Sequence, residues 1–440
     1  MEKLTCRVAL TLLLAALASC GGGGGNGTTG LSAGQSPSSI DAPAAAQTVS
    51  TKDEAQDPPG VQGLTTGQAD SLGGLAALRA QGGDVVSALA QRAASDGVVV
   101  YTTVDTSAFG MPRTMVYDTV HGDIYASYPT TYESVGLSAI VRFRTNGRTW
   151  TSSSLSIPGL RDIALATDAS VLAATDGSNQ VHLIDLATFT VKSTHLSATE
   201  IGDQGSNTET GIAFTNDGKL WMPTGAGYQW HGLGFFDVRT LTFGTKPCPS
   251  CHGGPFFAVS GDGSRLMMTQ SASISPAPPM LYMDTVDGVF RTNPIGLEFF
   301  YWLTNLSDSG DRFLFNGYTV YDRAFGTVGT LPATPYGLRA AQLSPNGRRA
   351  YVLSYAVEPG SPALPVVQAF DTTAPAGTRI NLPLVGSFTL ADFPACQTST
   401  YPKYSCYKPR MRLSQDGRML MILGDKKLIV ASIPKALLGL

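Results

Sequence analysis

A short unit recurs along the chain: two apolar runs flank a turn, and a third run ends in aspartate. Its clearest copy lies at residues 340–372, where Pro345-Asn-Gly347 separates two apolar runs as in a β-hairpin. Glycine tolerates the positive φ that such a turn needs. The turn is marked in seven copies by Gly122, Ser170, Gly218, Gly263, Gly310, Gly347 and Gly417. The chain therefore repeats one supersecondary unit.

Two periodic markers predict the architecture. Successive turn markers lie 37 to 48 residues apart, except for a last step of 70. The third run of most copies ends in an aspartate, whose carboxylate can bond the backbone two residues on: Asp185, Asp237, Asp284, Asp322 and Asp371. A period of roughly 40 to 50 residues with several short strands is typical of propeller blades. We predict an all-β, seven-bladed β-propeller over residues 98–434; a β-sandwich would need both sets of turns to coincide by chance.

The two ends of this region are predicted to close the ring. The last copy supplies only three strands, at residues 411–413, 419–423 and 428–431. Without a fourth strand, the first and last blades would expose unpaired edges. We therefore expect residues 98–104 to complete blade seven. Blades one to six are predicted at residues 114–156, 160–196, 210–245, 255–291, 299–331 and 337–384.

Propeller connectivity sorts the connections onto two faces. Turns between strands one and two, and between three and four, form what we call the tight-turn face. Turns between strands two and three, and links between blades, form the long-loop face. The longer insertions are all expected on the long-loop face: residues 128–133, 196–209, 225–231, 246–254, 271–279, 357–364 and 385–408. Long loops on a rigid scaffold commonly carry binding sites.

These long segments hold the residues of the predicted binding face. They are Tyr132, Glu133, Tyr228, Trp230, His231, His252, Tyr401 and Tyr404. Tyrosine and tryptophan with sparse charge are typical of a recognition surface. The alternative for each residue is that it packs one loop against another.

The N-terminus has the layout of a secretory signal over residues 1–19. Lys3 and Arg7 precede an apolar run at residues 8–17, which is too short to span a bilayer. Its end, Leu17-Ala-Ser-Cys20, resembles the lipobox of bacterial lipoproteins, which implies acylation of the Cys20 thiol and membrane anchoring. Ordinary cleavage beside an incidental cysteine is the alternative. In lipoproteins an aspartate after the cysteine retains the chain in the inner membrane, so Gly21 implies the outer membrane, facing the periplasm or the cell surface.

Residues 20–97 separate the signal from the ring. Residues 20–70 are rich in Gly, Ser, Thr, Ala and Pro, so we expect a disordered tether. Residues 71–97 form a linker, in which a short helix over residues 84–94 with Asp84 as its cap is expected. The chain carries a net charge of −3 with 14% charged residues, which gives no electrostatic footprint for nucleic acid. We expect a monomer.

Four cysteines remain in the exported part: Cys248, Cys251, Cys396 and Cys406. An oxidising compartment favours disulfides, and of three pairings we predict the sequential one, because each bond then closes a local loop. The run Cys248-Pro-Ser-Cys251-His252 also matches the haem c attachment pattern. It lies in a link between blades, and no second axial ligand can be named. We therefore predict a disulfide and no cofactor, with haem c as the alternative.

No metal-binding or catalytic motif indicates a function for this chain. Asp203, Glu209, His231 and His252 could meet at the channel mouth, but their spacing does not demand a metal site, and none is predicted. The predicted propeller, residues 98–434, has no Gly-x-Ser-x-Gly elbow, no His-Glu-x-x-His and no phosphate-binding loop. Propeller sites assemble from distant loops, so the absence of a motif does not exclude an enzyme.

The turn unit of blades three to seven, as in Phe214-Thr-Asn-Asp-Gly218-Lys-Leu, resembles the repeats of bacterial seven-bladed propellers of the surface-layer type and of the Tol system. Blades one and two depart from that pattern. The resemblance implies binding of proteins or ligands at the channel mouth. We expect a lipid-anchored, non-enzymatic envelope scaffold with a protein or small-ligand partner. The alternative is a propeller enzyme, lyase or quinoprotein-like, that uses His231, His252 or Glu209; a haem c redox protein is a third interpretation.

Overall fold

A computed structural model gives the structure of the part of the chain that carries the repeats. It describes residues 48–49, 99, 101–130, 137–147, 149–199, 201, 211–224, 232–246, 255–270, 279–297, 304–332, 340–356, 364–378, 381–390, 393, 409–424 and 426–439. Strands dominate these residues, with one 3₁₀ helix, η1 (Lys435–Leu437). Among them, no helix has the length and apolar character needed to cross a membrane.

Two strands precede the first blade, and the next twelve form blades one to three. The first two are β1 (Thr48–Val49) and β2 (Tyr101–Asp105). Blade one contains β3 (Met115–Asp118), β4 (Asp123–Tyr128), β5 (Ala139–Thr145) and β6 (Trp150–Ser156). Blade two contains β7 (Leu160–Leu165), β8 (Leu172–Asp176), β9 (Gln180–Asp185) and β10 (Thr190–Leu196). Blade three contains β11 (Ala213–Phe214), β12 (Lys219–Thr224), β13 (Gly232–Asp237) and β14 (Thr242–Lys246).

Blades four to seven follow in the same manner. Blade four contains β15 (Pro255–Val259), β16 (Arg265–Gln270), β17 (Leu281–Asp284) and β18 (Arg291–Thr292). Blade five contains β19 (Asn305–Leu306), β20 (Arg312–Phe315), β21 (Thr319–Asp322) and β22 (Thr327–Thr330). Blade six contains β23 (Ala340–Leu343), β24 (Arg349–Ala356), β25 (Leu364–Asp371) and β26 (Leu384–Thr389). Blade seven contains β27 (Arg410–Leu413), β28 (Met419–Leu423) and β29 (Lys427–Ser432).

Each blade is an antiparallel meander, and the seven blades form a ring. Within a blade, neighbouring strands in sequence are neighbours in the sheet. The first strands of adjacent blades contact one another all the way round, from β3 through β7, β11, β15, β19 and β23 to β27 and back to β3. The predicted all-β, seven-bladed propeller is confirmed.

The ring closes as the sequence predicts, with an N-terminal strand as the outer strand of blade seven. β2 pairs antiparallel with β29, with Tyr101 opposite Ala431 and Val104 opposite Leu428. The strand begins three residues later than predicted. β1 lies inside the predicted tether and adds a two-residue fifth strand to blade one, with Val49 opposite Trp150.

The hydrophobic core lies between the blades. Seven clusters of buried side chains each join two neighbouring sheets. Tyr125 of blade one packs in one cluster with Leu172 of blade two, and Leu314 of blade five packs in another with Val352 of blade six. Because successive side chains of a strand point to opposite faces, each middle strand contributes side chains to two clusters. The apolar surface that each sheet buries against the next therefore stabilises the whole ring.

The polar residues of the repeat hold its turns. The aspartates that end the third strands accept backbone hydrogen bonds two residues on, from Arg239 N to Asp237 Oδ1 (2.9 Å) and from Ala324 N to Asp322 Oδ1 (3.0 Å). In the first turns a hydroxyl accepts from the backbone five residues on, as from Arg265 N to Ser260 Oγ (2.9 Å). These bonds explain why Asp and Ser/Thr recur at fixed places.

The turn markers have positive φ as expected, with one correction in blade two. Gly218, Gly263 and Gly310 have φ of 79°, 69° and 69°. In blade two the left-handed residue is Ala169, with φ of 52°, and not Ser170. Alanine adopts the left-handed conformation there at a steric cost from its Cβ. The glycines of the other turns adopt the same conformation without that cost.

Blade six corrects two further expectations. Its fourth strand is β26, which extends past the predicted end at residue 384 and occupies residues assigned to a long-loop insertion. The connection from β25 to β26 instead joins strand ends on the tight-turn face, and Gly377, Asn381 and Leu382 in it lie along β22 of blade five. Leu382 N donates to Thr330 O (2.8 Å), and Gly377 N donates to Thr327 O (2.7 Å). The insertion thus covers the outer edge of blade five.

Replacing Leu241 with glycine is expected to raise the free energy of unfolding by about 1 kcal/mol, because Leu241 has φ of 57° and glycine avoids that strain. Leu241 is 49% exposed, so little burial is lost. Blade four already has glycine at this place: Gly288 N donates to Asp284 O (3.0 Å) as Leu241 N donates to Asp237 O (2.8 Å). Urea denaturation measures the change. Leu241→Ala is the matched control, and a gain equal to that of glycine would contradict the explanation.

Candidate functional site

The first strands of the seven blades enclose a central channel. Each first strand starts at the long-loop face and ends in a turn on the tight-turn face, since the turn between strands one and two lies there. Residues near the start of these strands therefore lie at the long-loop end of the channel. Channel mouths built from several blades are the usual ligand sites of propellers.

A buried carboxylate occupies the wall near the long-loop end. Asp162 in β7 has no exposed surface. Its Oδ1 accepts from the Thr114 hydroxyl and from Ile163 N (2.8 Å), and its Oδ2 accepts from Gly211 N (2.6 Å). Arg113 Nε lies 4.0 Å from Oδ2. One side chain of blade two thus contacts the segments that enter blades one and three.

Two buried arginines extend the cluster to blade seven. Arg113 is 6% exposed and Arg410 is 1% exposed. Arg410 Nε donates to the carbonyl of Arg113. The backbone beside Arg113 is fixed in turn, because Arg113 N donates to Ser127 O (2.8 Å) and Thr114 N to Ser127 Oγ (3.1 Å). We call Arg113, Thr114, Asp162 and Arg410 the buried charge cluster.

The electrostatics of the buried charge cluster indicate a structural role. Burial raises the pKa of Asp162 above its ordinary value and outweighs the opposing effects of the Arg113 charge and of the bonds from Thr114, Ile163 and Gly211. With three donors on its oxygens, the carboxylate is committed to holding neighbouring blades in register. A general base would need a free lone pair facing a substrate.

The channel holds a cavity of about 310 Å³ that extends to its tight-turn end. First strands and first turns of all seven blades line it. Most of the lining is apolar or uncharged, with Phe256, Ala258 and Leu306 on one side. Asp308 and Arg412 are the charged residues among its lining residues. Arg412 Nη1 donates to Met411 O (2.8 Å), which holds the guanidinium near the channel wall.

Neither the acids nor the histidines of the described ranges form a metal centre. Within those ranges no group of three or more His, Cys, Asp or Glu side chains could hold an ion. His182 in β9 uses both ring nitrogens, at 3.1 Å from Asp176 Oδ2 and 3.0 Å from Thr194 Oγ1. His121 Nδ1 lies 2.7 Å from Asp118 Oδ2 within a turn. Neither histidine lines the cavity.

The site residues predicted from the sequence all lie outside the described residues. They are Cys20, Tyr132, Glu133, Tyr228, Trp230, His231, Cys248, Cys251, His252, Cys396, Tyr401, Tyr404 and Cys406. Asp203, Glu209 and the predicted helix at residues 84–94 also lie there. The strands on either side of the predicted ring residues are β4 and β5, β12 and β13, β14 and β15, and β26 and β27. The strand ends that border these residues lie on the long-loop face.

Sequence reasoning missed Asp162, Arg113, Arg410 and Asp308. A signal existed for Asp162: it interrupts the apolar run Leu160-Arg-Asp-Ile-Ala-Leu165 of an innermost strand, where a charge needs partners. Arg410 likewise opens the first strand of blade seven. Only the ring geometry shows that Arg113, Asp162 and Arg410, up to 297 positions apart in sequence, belong to one cluster.

Comparisons with known proteins bear on the fold alone. No known protein family and no curated protein matches the sequence. Among solved structures, a chain in the crystal structure of a mitotic checkpoint complex is similar, with a TM-score of 0.51 at 13% identity over 76% of this chain and 91% of that chain. The structure of U3-55K gives a TM-score of 0.48 at 9% identity over 75% of this chain and 98% of that one. The first likeness agrees with the propeller fold.

Proposed function

We propose that this protein is an exported, lipid-anchored scaffold of the bacterial cell envelope that binds a protein or other ligand through its long-loop face. Cys20 would carry the anchor in the outer membrane, and residues 20–70 would tether the ring to it. The scaffold would use no cofactor and carry out no catalytic step. It also keeps Cys248–Cys251 and Cys396–Cys406 as the disulfides.

The observation that supports it most is the asymmetry of the two faces. Between consecutive strands of the ring, every connection longer than six residues joins strand ends on the long-loop face, except that between β25 and β26. That exception packs along blade five. The long segments carry the aromatic residues Tyr228, Trp230 and Tyr404, and amphipathic aromatic side chains contribute most to affinity in protein interfaces.

The scaffold beneath that face is rigid. The buried charge cluster ties blades seven, one, two and three together at the start of their first strands. A rigid base reduces the ordering cost when loops bind a partner.

Replacing Trp230 and Tyr404 together with alanine is expected to abolish capture of a partner from cross-linked envelope extracts, because buried aromatic anchors commonly contribute 2 kcal/mol or more each. Affinity capture with quantitative mass spectrometry measures the loss. The mass of the same purified protein reports acylation of Cys20, the disulfides and any haem.

The matched control for this experiment lies on the tight-turn face. Val286 and Leu241 are 91% and 49% exposed there, and their double replacement with alanine should leave capture unchanged. Capture that survives the Trp230 and Tyr404 replacements, or that is lost equally in the control, would refute the placement of the binding face.

A further inference from the structure

One carboxylate faces the channel at the tight-turn end. Each first turn of blades three to seven has the form Ser/Thr-x-y-Gly. The x position lines the cavity in blades four to seven, where it is occupied by Gly261, Asp308, Pro345 and Gln415. Asp308 is the acidic member of that set. Blade five therefore differs from its neighbours in placing a negative charge at the channel mouth.

The backbone fixes the position of Asp308. Its N–H donates to Pro345 O (2.7 Å) in blade six, and its carbonyl accepts from Asp262 N (2.9 Å) in blade four. The carboxylate rests on the Cα of Gly261: a Cβ added to Gly261 would lie 2.1 Å from Asp308 Oδ1. This close approach requires glycine at position 261. The backbone of Asp308 is thus held between blades, and its carboxylate lies close to Gly261.

The Asp308 carboxylate also lacks the partner that the other turn acids have. Asp217, Asp262 and Asp416 sit one position later, and each accepts from the hydroxyl that opens its own turn, at 2.6, 2.7 and 2.6 Å. Blade five has Ser309 at that later position, and its hydroxyl donates to Asp311. Among the described residues, no hydrogen bond or ion pair is recorded for the side chain of Asp308.

The surroundings favour a cationic ligand. Asp308 is half-buried, and burial together with the nearby Asp262 charge raises its pKa, so the charged form lacks local stabilisation. A ligand cation would supply it. A single carboxylate does not make a divalent metal site, since such ions take several oxygen ligands. Phe256 in the lining is apolar and half-buried, so it can cover the hydrocarbon body of a ligand in the cavity.

We propose that the tight-turn end of the channel binds a small organic amine, with Asp308 accepting hydrogen bonds from its ammonium group and the apolar wall burying its hydrocarbon part. The site lies at the opposite end of the channel from the proposed binding face. The amine site does not depend on the proposed scaffold function.

Isothermal titration calorimetry of the full-length protein with benzylamine and phenethylamine tests the proposal, with benzyl alcohol and benzoate as uncharged and anionic counterparts. We expect one amine to bind per chain, and Asp308→Asn to weaken binding about tenfold to hundredfold, because a charge-assisted hydrogen bond is lost. Gly261→Ala should weaken binding too, because its methyl group displaces the carboxylate without changing the net charge.

Asp311→Asn is the matched control. It removes the same charge from the same turn, but Asp311 is exposed and outside the cavity lining. Thermal melts of each variant establish that the ring remains folded. Absence of amine binding, equal affinity in Asp308→Asn, or preference for benzoate through Arg412 would each overturn the proposal.

Discussion

Replacing Val104 with aspartate is expected to lower the free energy of unfolding by roughly 3–5 kcal/mol and to open the ring. Val104 lies in β2, has no exposed surface and packs with Met421, Leu428 and Val430 between blades seven and one. A carboxylate there would be buried without a partner. Because stabilities of about 5–15 kcal/mol are typical, this one change removes a large share of the total.

Loss of the closing strand has a second consequence. β29 would then expose an unpaired edge next to blade one, and exposed edges promote association between chains. Urea denaturation and size-exclusion chromatography measure the two effects. Thr103→Ala is the positional control, because Thr103 is a half-buried neighbour on the opposite face of the same strand. Wild-type stability in Val104→Asp would show that the β2 pairing does not hold the ring.

The blade pattern was predictable because its determinants are local. A positive-φ glycine, a turn hydroxyl and an aspartate at the third strand each act within about five residues, so a single sequence displays them. Ring closure was predictable by counting, since the last copy lacks a strand and residues near 101–105 supply one. No long-range contact had to be known in advance.

The fourth strand of blade six was misplaced because its determinants are not local. Residues 378–384, Thr-Arg-Ile-Asn-Leu-Pro-Leu, have the apolar content of a strand. In the structure Leu382 is buried against blade five, and Asn381 pairs in parallel with Thr330. This segment of blade six can either form a strand in its own blade or cover the edge of blade five. Local propensity does not decide between the two.

The sequence predicts which face of the ring carries the candidate site, but it does not indicate the charged residues of the channel. The sequence predicts that Trp230 and Tyr404 lie on the long-loop face. The charged groups of the channel and its wall include Arg113, Asp162, Asp308 and Arg410, which the sequence did not indicate. Isolated charges in short strands look like solvated positions in a sequence. Their burial follows from the closed ring, which brings first strands of different blades together.

Replacing Asp162 with alanine is expected to lower the free energy of unfolding by roughly 3–5 kcal/mol, close to the effect of Val104→Asp. The change removes the acceptor for the Thr114 hydroxyl and for the Gly211 and Ile163 N–H groups. It also leaves the buried Arg113 guanidinium without its nearby carboxylate. The loss of an acceptor for buried N–H groups and of a carboxylate near a buried guanidinium both disfavour the folded ring.

Two further variants separate the loss of charge from the loss of volume. Asp168→Ala removes an exposed turn acid of the same blade and should cost less than about 1 kcal/mol. The double replacement Arg113→Met with Asp162→Leu removes both charges and keeps the bulk, so it should be less destabilising than Asp162→Ala alone. Denaturation curves of the three variants give these differences. If Asp162→Ala matched Asp168→Ala, the buried charge cluster would not hold the blades together, and the rigidity assigned to the base of the long-loop face would have to come from the interblade core alone.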